Sequence, residues 1–490
     1  MDIDNDQCAR DLDKSGWFHL RQFRDTGVLS DLEQAINHFS WAVAETTHDH
    51  QDMGEWLTDL GTAYTDRFRS LGVLEDLEKS IMHISSGLAL TPNGHPDSAR
   101  RYSSLELSYI HRYRRLGELA DLEKAIECLT RALELTPDSH PDLSHRHASL
   151  GQSYNLRYLC LGELADVERA IECLTRALEL TPDGHPDVPD RHASLGICYG
   201  VRYRHLGELA DLEKAIKCKS RALVLTPDDH PNVPDRHASL GASYTDRYQR
   251  LGELADLEKA LECQTRALEL TPDGHPNVPD RHASLGICYT DRYQRLGELA
   301  DLEKAIECDN SALELTPNDD PNLPNRHASL GVSYTDRYRR LGELTDLEKA
   351  LECHTHALEL TPNGHRDVAR RHAGLSVPYS DRYNRLGNLA DLEKAIECDT
   401  WAFELTPDGH PDMPRRQARL GVSYTDRYRR LGELADLEKA IEFKTRALAL
   451  TPDSHPDVPD RHSSLGVSYL LRYQRLGELA DLEKAIECHA

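Results

Sequence analysis

The sequence is short of nearly everything a thick globular core is built from. Its 490 residues include only six Phe, four Trp and four Met. That suffices only where each segment packs on its immediate neighbours. No run of 18 apolar residues occurs, and the opening Met1-Asp2-Ile3-Asp4-Asn5-Asp6 lacks the basic-then-apolar order of a secretion signal. A soluble, cytoplasmic chain with no membrane partner is expected. Basic residues are in deficit, 58 against 84 acidic, for a net charge of -26. Such a field repels phosphate backbones, so no nucleic-acid partner is expected. There is no Gly-x4-Gly-Lys, no His-Glu-x2-His, no Gly-x-Ser-x-Gly and no Cys-x2-Cys. Neither enzymatic activity nor a metal or other cofactor is expected.

What is present is repetition. The phrase Leu-Gly-Glu-Leu-Ala-Asp recurs with small changes from Leu71, Leu116, Leu161, Leu206, Leu251, Leu296, Leu341, Leu386, Leu431 and Leu476, always 45 residues apart. Thr26-Gly27-Val28-Leu29 lies one step earlier, so a degenerate first copy occupies about residues 1–46. The last copy stops at Ala490, partway through a helix. The expectation is a single array of about eleven repeats over 1–490, ending as a truncation or as a junction to further sequence.

Residues 141–186 show the two halves of a copy. Pro141 and Asp142 precede the first helix and Gly162 ends it. Leu150, Gly151, Tyr154, Tyr158 and Leu161 share one face at helical spacing, while Ala148, Gln152, Asn155 and Leu159 share the other. Asp166 stands where an N-cap belongs. Val167, Ala170, Ile171, Ala177 and Leu178 then give a second amphipathic helix that Pro182 terminates. Two helices per copy and no strand predict an all-α fold.

Leu150-Gly151-x2-Tyr154 followed by Ala170-x3-Leu174-x2-Ala177-x4-Pro182 resembles the tetratricopeptide repeat. The usual unit of about 34 residues, with seven more between Tyr154 and Ala170 and four more after Pro182, accounts for the period. The resemblance implies an α-solenoid of antiparallel helix pairs in a right-handed superhelix. It also implies that the first helices line a concave groove and that the array binds protein or peptide segments. The copies containing Asp-Leu-Glu-Lys-Ala-Ile and Leu-Thr-Pro-Asp-Gly-His-Pro are also similar to arrays in fungal-type proteins with a caspase-like (CHAT) domain after the repeats. That implies an alternative role as a regulatory arm, with the domain beyond residue 490. A plain structural spacer is a third reading, since the later copies are so alike.

Cysteines and histidines come in columns, whereas catalytic residues come singly. Cys128, Cys173, Cys218, Cys263, Cys308, Cys353, Cys398 and Cys488 occupy one column. Equivalent helices of stacked repeats lie about 8–10 Å apart, too far for a disulfide. Reduced, packed thiols are expected. His147 fills the slot of the family's Trp and should pack near Tyr154. The loop set from His95 to His455 should hydrogen-bond exposed backbone.

On the other face of the first helices run Thr245-Asp246, Thr290-Asp291, Thr335-Asp336, Ser380-Asp381 and Thr425-Asp426. These are the candidate partner-binding residues, a carboxylate ladder suited to a basic segment. Each aspartate also has an arginine four residues on, Arg250, Arg295, Arg340, Arg385 and Arg430, so internal helix pairs are the competing reading. Two irregularities stand out. The column of Phe39, Ile84, Leu129 and Leu174 turns polar at Lys219, Gln264, Asp309, His354, Asp399 and Lys444, which predicts a looser C-terminal half. Pro378 falls inside a first helix and should kink it.

Overall fold

The computed structural model describes residues 2–47, 50–92, 94–453 and 455–489; Met1 and Ala490, the ends of the expected array, lie outside them. Among these residues the chain is all-α, with 22 helices and no strand. It divides into two compact units, Met1–Gly252 and Glu253–Ala490. Within each, second helices pack on the first helix of the same repeat and on the first helix of the next where both lie in that unit, the pattern of an α-solenoid. The degenerate first copy is present as two helices, Asp2–Thr26 and Leu29–Ala44.

The repeat at 141–186 forms helices Leu143–Leu161 and Leu164–Glu179. The first ends because Gly162 takes φ 72°, the left-handed conformation glycine adopts without a Cβ clash, and its N–H bonds to Tyr158 O. The turn after Pro182 closes through His185 N to Pro182 O at 3.1 Å. The Nδ1 of His185 then accepts the N–H of Asp187 at 3.2 Å, and His95, His140, His230, His275, His365, His410 and His455 repeat this bond. The loop histidines thus satisfy exposed backbone at the entrance to each first helix, as expected.

The two helices of the repeat meet at Gly151, where a Cβ would stand 2.7 Å from Leu174 and 3.0 Å from the Ala170 carbonyl. Leu150, Ala170, Leu174 and Ala177 are buried, and Leu174 reaches Leu195 and Cys198 of the next repeat. Burying one such leucine stabilises by about 1.5–3 kcal/mol. Leu161, expected in the same stripe, is exposed, as are its equivalents from Leu71 to Leu476. It lies at the end of the helix, past the packed stretch. All twelve cysteines are free, and burial holds the thiols of Cys128, Cys308 and Cys398 up at about 12.

Two arginine clamps hold the repeats together. Asp166 is not an N-cap: that position belongs to Glu163, whose side chain makes no capping bond. Asp166 is buried in the first turn and accepts Arg157 Nε at 2.8 Å and Nη2 at 2.5 Å, tying the second helix to the first. The pair recurs at Arg67–Asp76, Arg202–Asp211, Arg337–Asp346 and Arg472–Asp481, among others. The same arginine lies 5.3 Å from the Tyr154 ring, with Arg169 at 5.7 Å, so Tyr154 is flanked by cations. The second clamp joins repeats: buried Arg191 donates to Ala177 O at 3.1 Å and Thr181 Oγ1 at 2.5 Å, at the carbonyl end of the preceding helix.

Both sequence irregularities are accommodated. Helix Val368–Leu386 runs unbroken through Pro378 with the same 19 residues as its equivalents. The polar column is buried but partnered. Lys219 donates to Ser243, Asp309 accepts from Ser333, Asp399 from Ser423 and Arg419, and Lys444 donates to Ser468. The cost of burying an unpaired charge, the basis for expecting a looser half, does not apply to these four.

Candidate functional site: the face of the first helices

A first helix of 19 residues offers more face than one stripe of packing can cover, so its other side is left to solvent. In the unit Met1–Gly252 that side exposes Leu107 and Ile197; in the unit Glu253–Ala490 it exposes Ile287, Val332 and Val422. All five occupy one column, the residue after the Gly151 position. Single exposed apolar residues are ordinary, but five exposed in one column of the first helices make an interrupted stripe. This column lies one turn before the charged ladder. Its signal was there in the run Leu107, Gln152, Ile197, Ala242, Ile287, Val332, Val377, Val422, Val467.

The ladder itself is less available than expected. Thr335 and Thr425 are buried. The hydroxyls of Thr245, Thr335, Ser380 and Thr425 donate to carbonyls one turn back, at Gly241, Gly331, Ser376 and Gly421, over 2.8–3.1 Å. They serve their own helices, and Thr290 is half-buried in the same column. Asp246, Asp291, Asp336, Asp381 and Asp426 are half-buried. Burial raises the carboxyls of Asp246, Asp336 and Asp426 above the ordinary range. The partners at the later positions are not those four residues on: Asp381 accepts from Arg339 of the preceding repeat at 2.9 Å, and Asp426 from Arg429 at 3.1 Å. The side-chain fork of an arginine reaches across a repeat junction as readily as along a helix, which spacing within one helix does not reveal.

Cavities open on this face in both units. One of about 230 Å³ lies over Lys219, between Ala193, Ile197 and Ala222, with Asp190 and Asp235 beside it. Its equivalent five repeats later is larger, about 530 Å³, over Lys444, with Ala418, Val422 and Ala447 in the same places. Burial pushes both ammonium groups down to about 8. Lys444 directs its protons at Thr425 Oγ1, Ser464 O and Ser468 Oγ, at 2.8–3.1 Å. Among the described residues no group of three or more His, Cys, Asp or Glu is disposed to hold a metal ion, and no helix is long and apolar enough to cross a membrane.

This geometry, paired helices with a close glycine contact and a repeated free face, accords with the family whose model matches residues 116–139, the tetratricopeptide repeat. The repeat is tetratricopeptide-like. The human IFIT1 dimer with PPP-AAAA is similar over 99% of this chain and 94% of that one, at 16% identity and a TM-score of 0.43. YrrB, a TPR protein with an unusual peptide-binding site, is similar over 49% of this chain and 95% of its own, at 21% identity and 0.31. BtubC (BKLC) from P. vanneervenii is similar over 49% and 89%, at 20% identity and 0.36. No curated protein matches the chain in sequence.

Proposed function

We propose that this chain is a protein-interaction scaffold that takes partner segments along the exposed face of its first helices. The observation that supports it is the apolar stripe Leu107 and Ile197 in one unit and Ile287, Val332 and Val422 in the other, set beside half-buried aspartates. A repeated apolar contact with polar flanks suits an extended segment that touches several repeats in succession. The aspartates Asp246, Asp291, Asp336, Asp381 and Asp426 set the field along that path, with the threonines beneath them in a supporting role.

The test places a photo-crosslinking amino acid at Ile287 and at Val332, and separately at exposed Glu307 on a second helix. Capture of the same polypeptide from the first-helix positions and not from residue 307 supports the reading. Capture from all three positions alike, or from none of them, sinks it and favours a spacer.

A further inference from the structure

At three junctions the arginine near the start of a first helix finds an acceptor 46 residues earlier. Arg236 binds Asp190 at 2.6 Å, Arg326 binds Asp280, and Arg371 binds Asn325. In the next two junctions that acceptor has become a cation. Arg370 stands where Arg416 would find it, and Arg415 where Arg461 would. Arg416 turns back to Asp412 at 3.4 Å and Arg461 to Asp457 at 3.3 Å, both on their own helix entrances. Neither of these two junctions has, at that position, the carboxylate that Asp190 supplies to Arg236, in a chain whose net charge is -26.

The 530 Å³ cavity lies at the second of them, and Arg415, Arg419, Lys444 and Arg461 all line it. Arg419 is committed to Asp399 at 3.1 Å and Ser376 at 2.8 Å. Lys444 is held by its hydroxyl and carbonyl partners, none of them anionic. Arg415 is exposed, and among the described residues no carboxylate pairs with it. Asp457 and Asp460 also border the cavity, so the cationic surplus is modest and sits on the Arg415 side. The floor, Ala418, Val422 and Ala447, is apolar. The matching cavity over Lys219 has no such surplus, because Asp190 and Asp235 border it and Arg236 is paired.

We propose that the cavity between Arg415, Lys444 and Arg461 binds an acidic side chain of a partner segment, with a neighbouring apolar side chain seated on Ala418, Val422 and Ala447. An incoming carboxylate takes the place that an aspartate of the chain itself fills at Asp190 and Asp280. Charge complementarity selects the occupant, and the apolar floor rewards a Glu-Leu or Asp-Leu pair over a bare anion. The proposal rests on the first-helix face being the binding face, and it assigns an acidic residue to the part of the partner that reaches this one cavity.

The full chain is titrated with a capped, neutral-dye-labelled peptide carrying Glu-Leu-Glu in a Gly/Ser frame, beside matched Gln-Leu-Gln and Lys-Leu-Lys peptides. The Glu peptide should bind with an affinity that falls as salt is added, and the other two should not. Arg415→Asp is the decisive variant. It restores to Arg461 the partner seen at Asp190–Arg236, so the fold is retained while binding falls by about tenfold or more. Arg415→Ala, at an exposed position, should lose less. Binding of the Glu peptide unchanged by Arg415→Asp, equal binding of the Gln peptide, or no binding of the Glu peptide each overturns the proposal. Any of these leaves the broader scaffold reading intact if Ile287 and Val332 still crosslink a partner, whereas loss of those crosslinks removes that reading by itself.

Discussion

The two units bury the same column in different chemical ways, apolar in all but the last of the first unit's repeats and polar throughout the buried positions of the second. The side chain that each second helix sends into the next repeat is Phe39, Ile84, Leu129, Leu174 and then Lys219 in the unit Met1–Gly252. In the unit Glu253–Ala490 it is Gln264, Asp309, His354, Asp399 and Lys444. All ten are buried. The apolar seam stabilises by transfer from water, whatever its exact neighbours. The polar seam is stable only while its charged groups keep their partners, and each of Lys219, Asp309, Asp399 and Lys444 has one on the next first helix, 24 residues on: Ser243, Ser333, Ser423, Ser468. Where the residue is His354, room comes from glycines: a Cβ at Gly331 would stand 2.9 Å from the ring and one at Gly374 3.1 Å. Equal burial therefore conceals unequal dependence on neighbours.

The largest effect should be one the units share. Arg157→Ala in one unit and Arg337→Ala in the other strand the buried carboxylates of Asp166 and Asp346. Each should cost about 3–5 kcal/mol of local stability. Hydrogen exchange is the right readout, because a repeat array can open locally and a single unfolding midpoint would average it. A much smaller loss in one unit would mean that they differ in more than the seam.

The seam itself should respond asymmetrically. Leu174→Ala leaves a cavity and should cost about 2–5 kcal/mol. Asp309→Leu, which restores the residue of the earlier repeats, should be neutral or stabilising by about 1 kcal/mol, since replacing a buried charge by packed hydrocarbon often is. Denaturation of both variants compares them directly, and a loss from Asp309→Leu as large as that from Leu174→Ala would erase the distinction between the seams.

Titration should separate them more gently. Burial pushes the Asp309 carboxyl up to about 6. Unfolded, it ionises near its ordinary 3.8, so its contribution is present at low pH and is lost as pH rises through about 6. His354 acts oppositely: held down at about 4 by burial, it withdraws stability as pH falls from 6.5 toward 4. Between about pH 4 and 6 the two slopes oppose each other. Asp309→Asn should unmask the histidine's and His354→Leu the aspartate's, each on the order of 2 kcal/mol, in the exchange of the helices flanking Asp309. Leu129 and Leu174 have no such dependence, so a matching slope around them would have another source.

How much of this the sequence disclosed follows from the range of each interaction. The period, the two helices, the left-handed Gly162 and the stop at Pro182 are local, and local patterns state them. Asp166 was misread because an acid three residues into a helix resembles a cap, and its true partner, Arg157, lies across a turn. Leu161 fits the packing face by angle, yet it falls past the end of the packed stretch. The threonines at 245, 335 and 425 looked like groove residues until their hydroxyls were seen bonded to their own helices. The change from Asp280 to Arg370 and Arg415 is plain in the aligned copies. It acquires meaning only once Arg326 is seen bonded to Asp280, a contact 46 residues long.

The smallest prediction isolates one pairwise element of the seam. Ser333 donates to Asp309 Oδ2 at 2.8 Å, and this hydrogen bond holds the carboxyl below where burial alone would place it. Ser333→Ala should cost about 1 kcal/mol in the native sequence and almost nothing in an Asp309→Leu background. The difference between the two is the energy of the pair, free of whatever the serine does for its own helix. The same substitution should move the Asp309 carboxyl further up from about 6, because burial then acts unopposed by that bond. A stability loss that persists at full size in the Asp309→Leu background, with no movement of the carboxyl, would make the serine a helix residue and leave the polar seam held by burial alone.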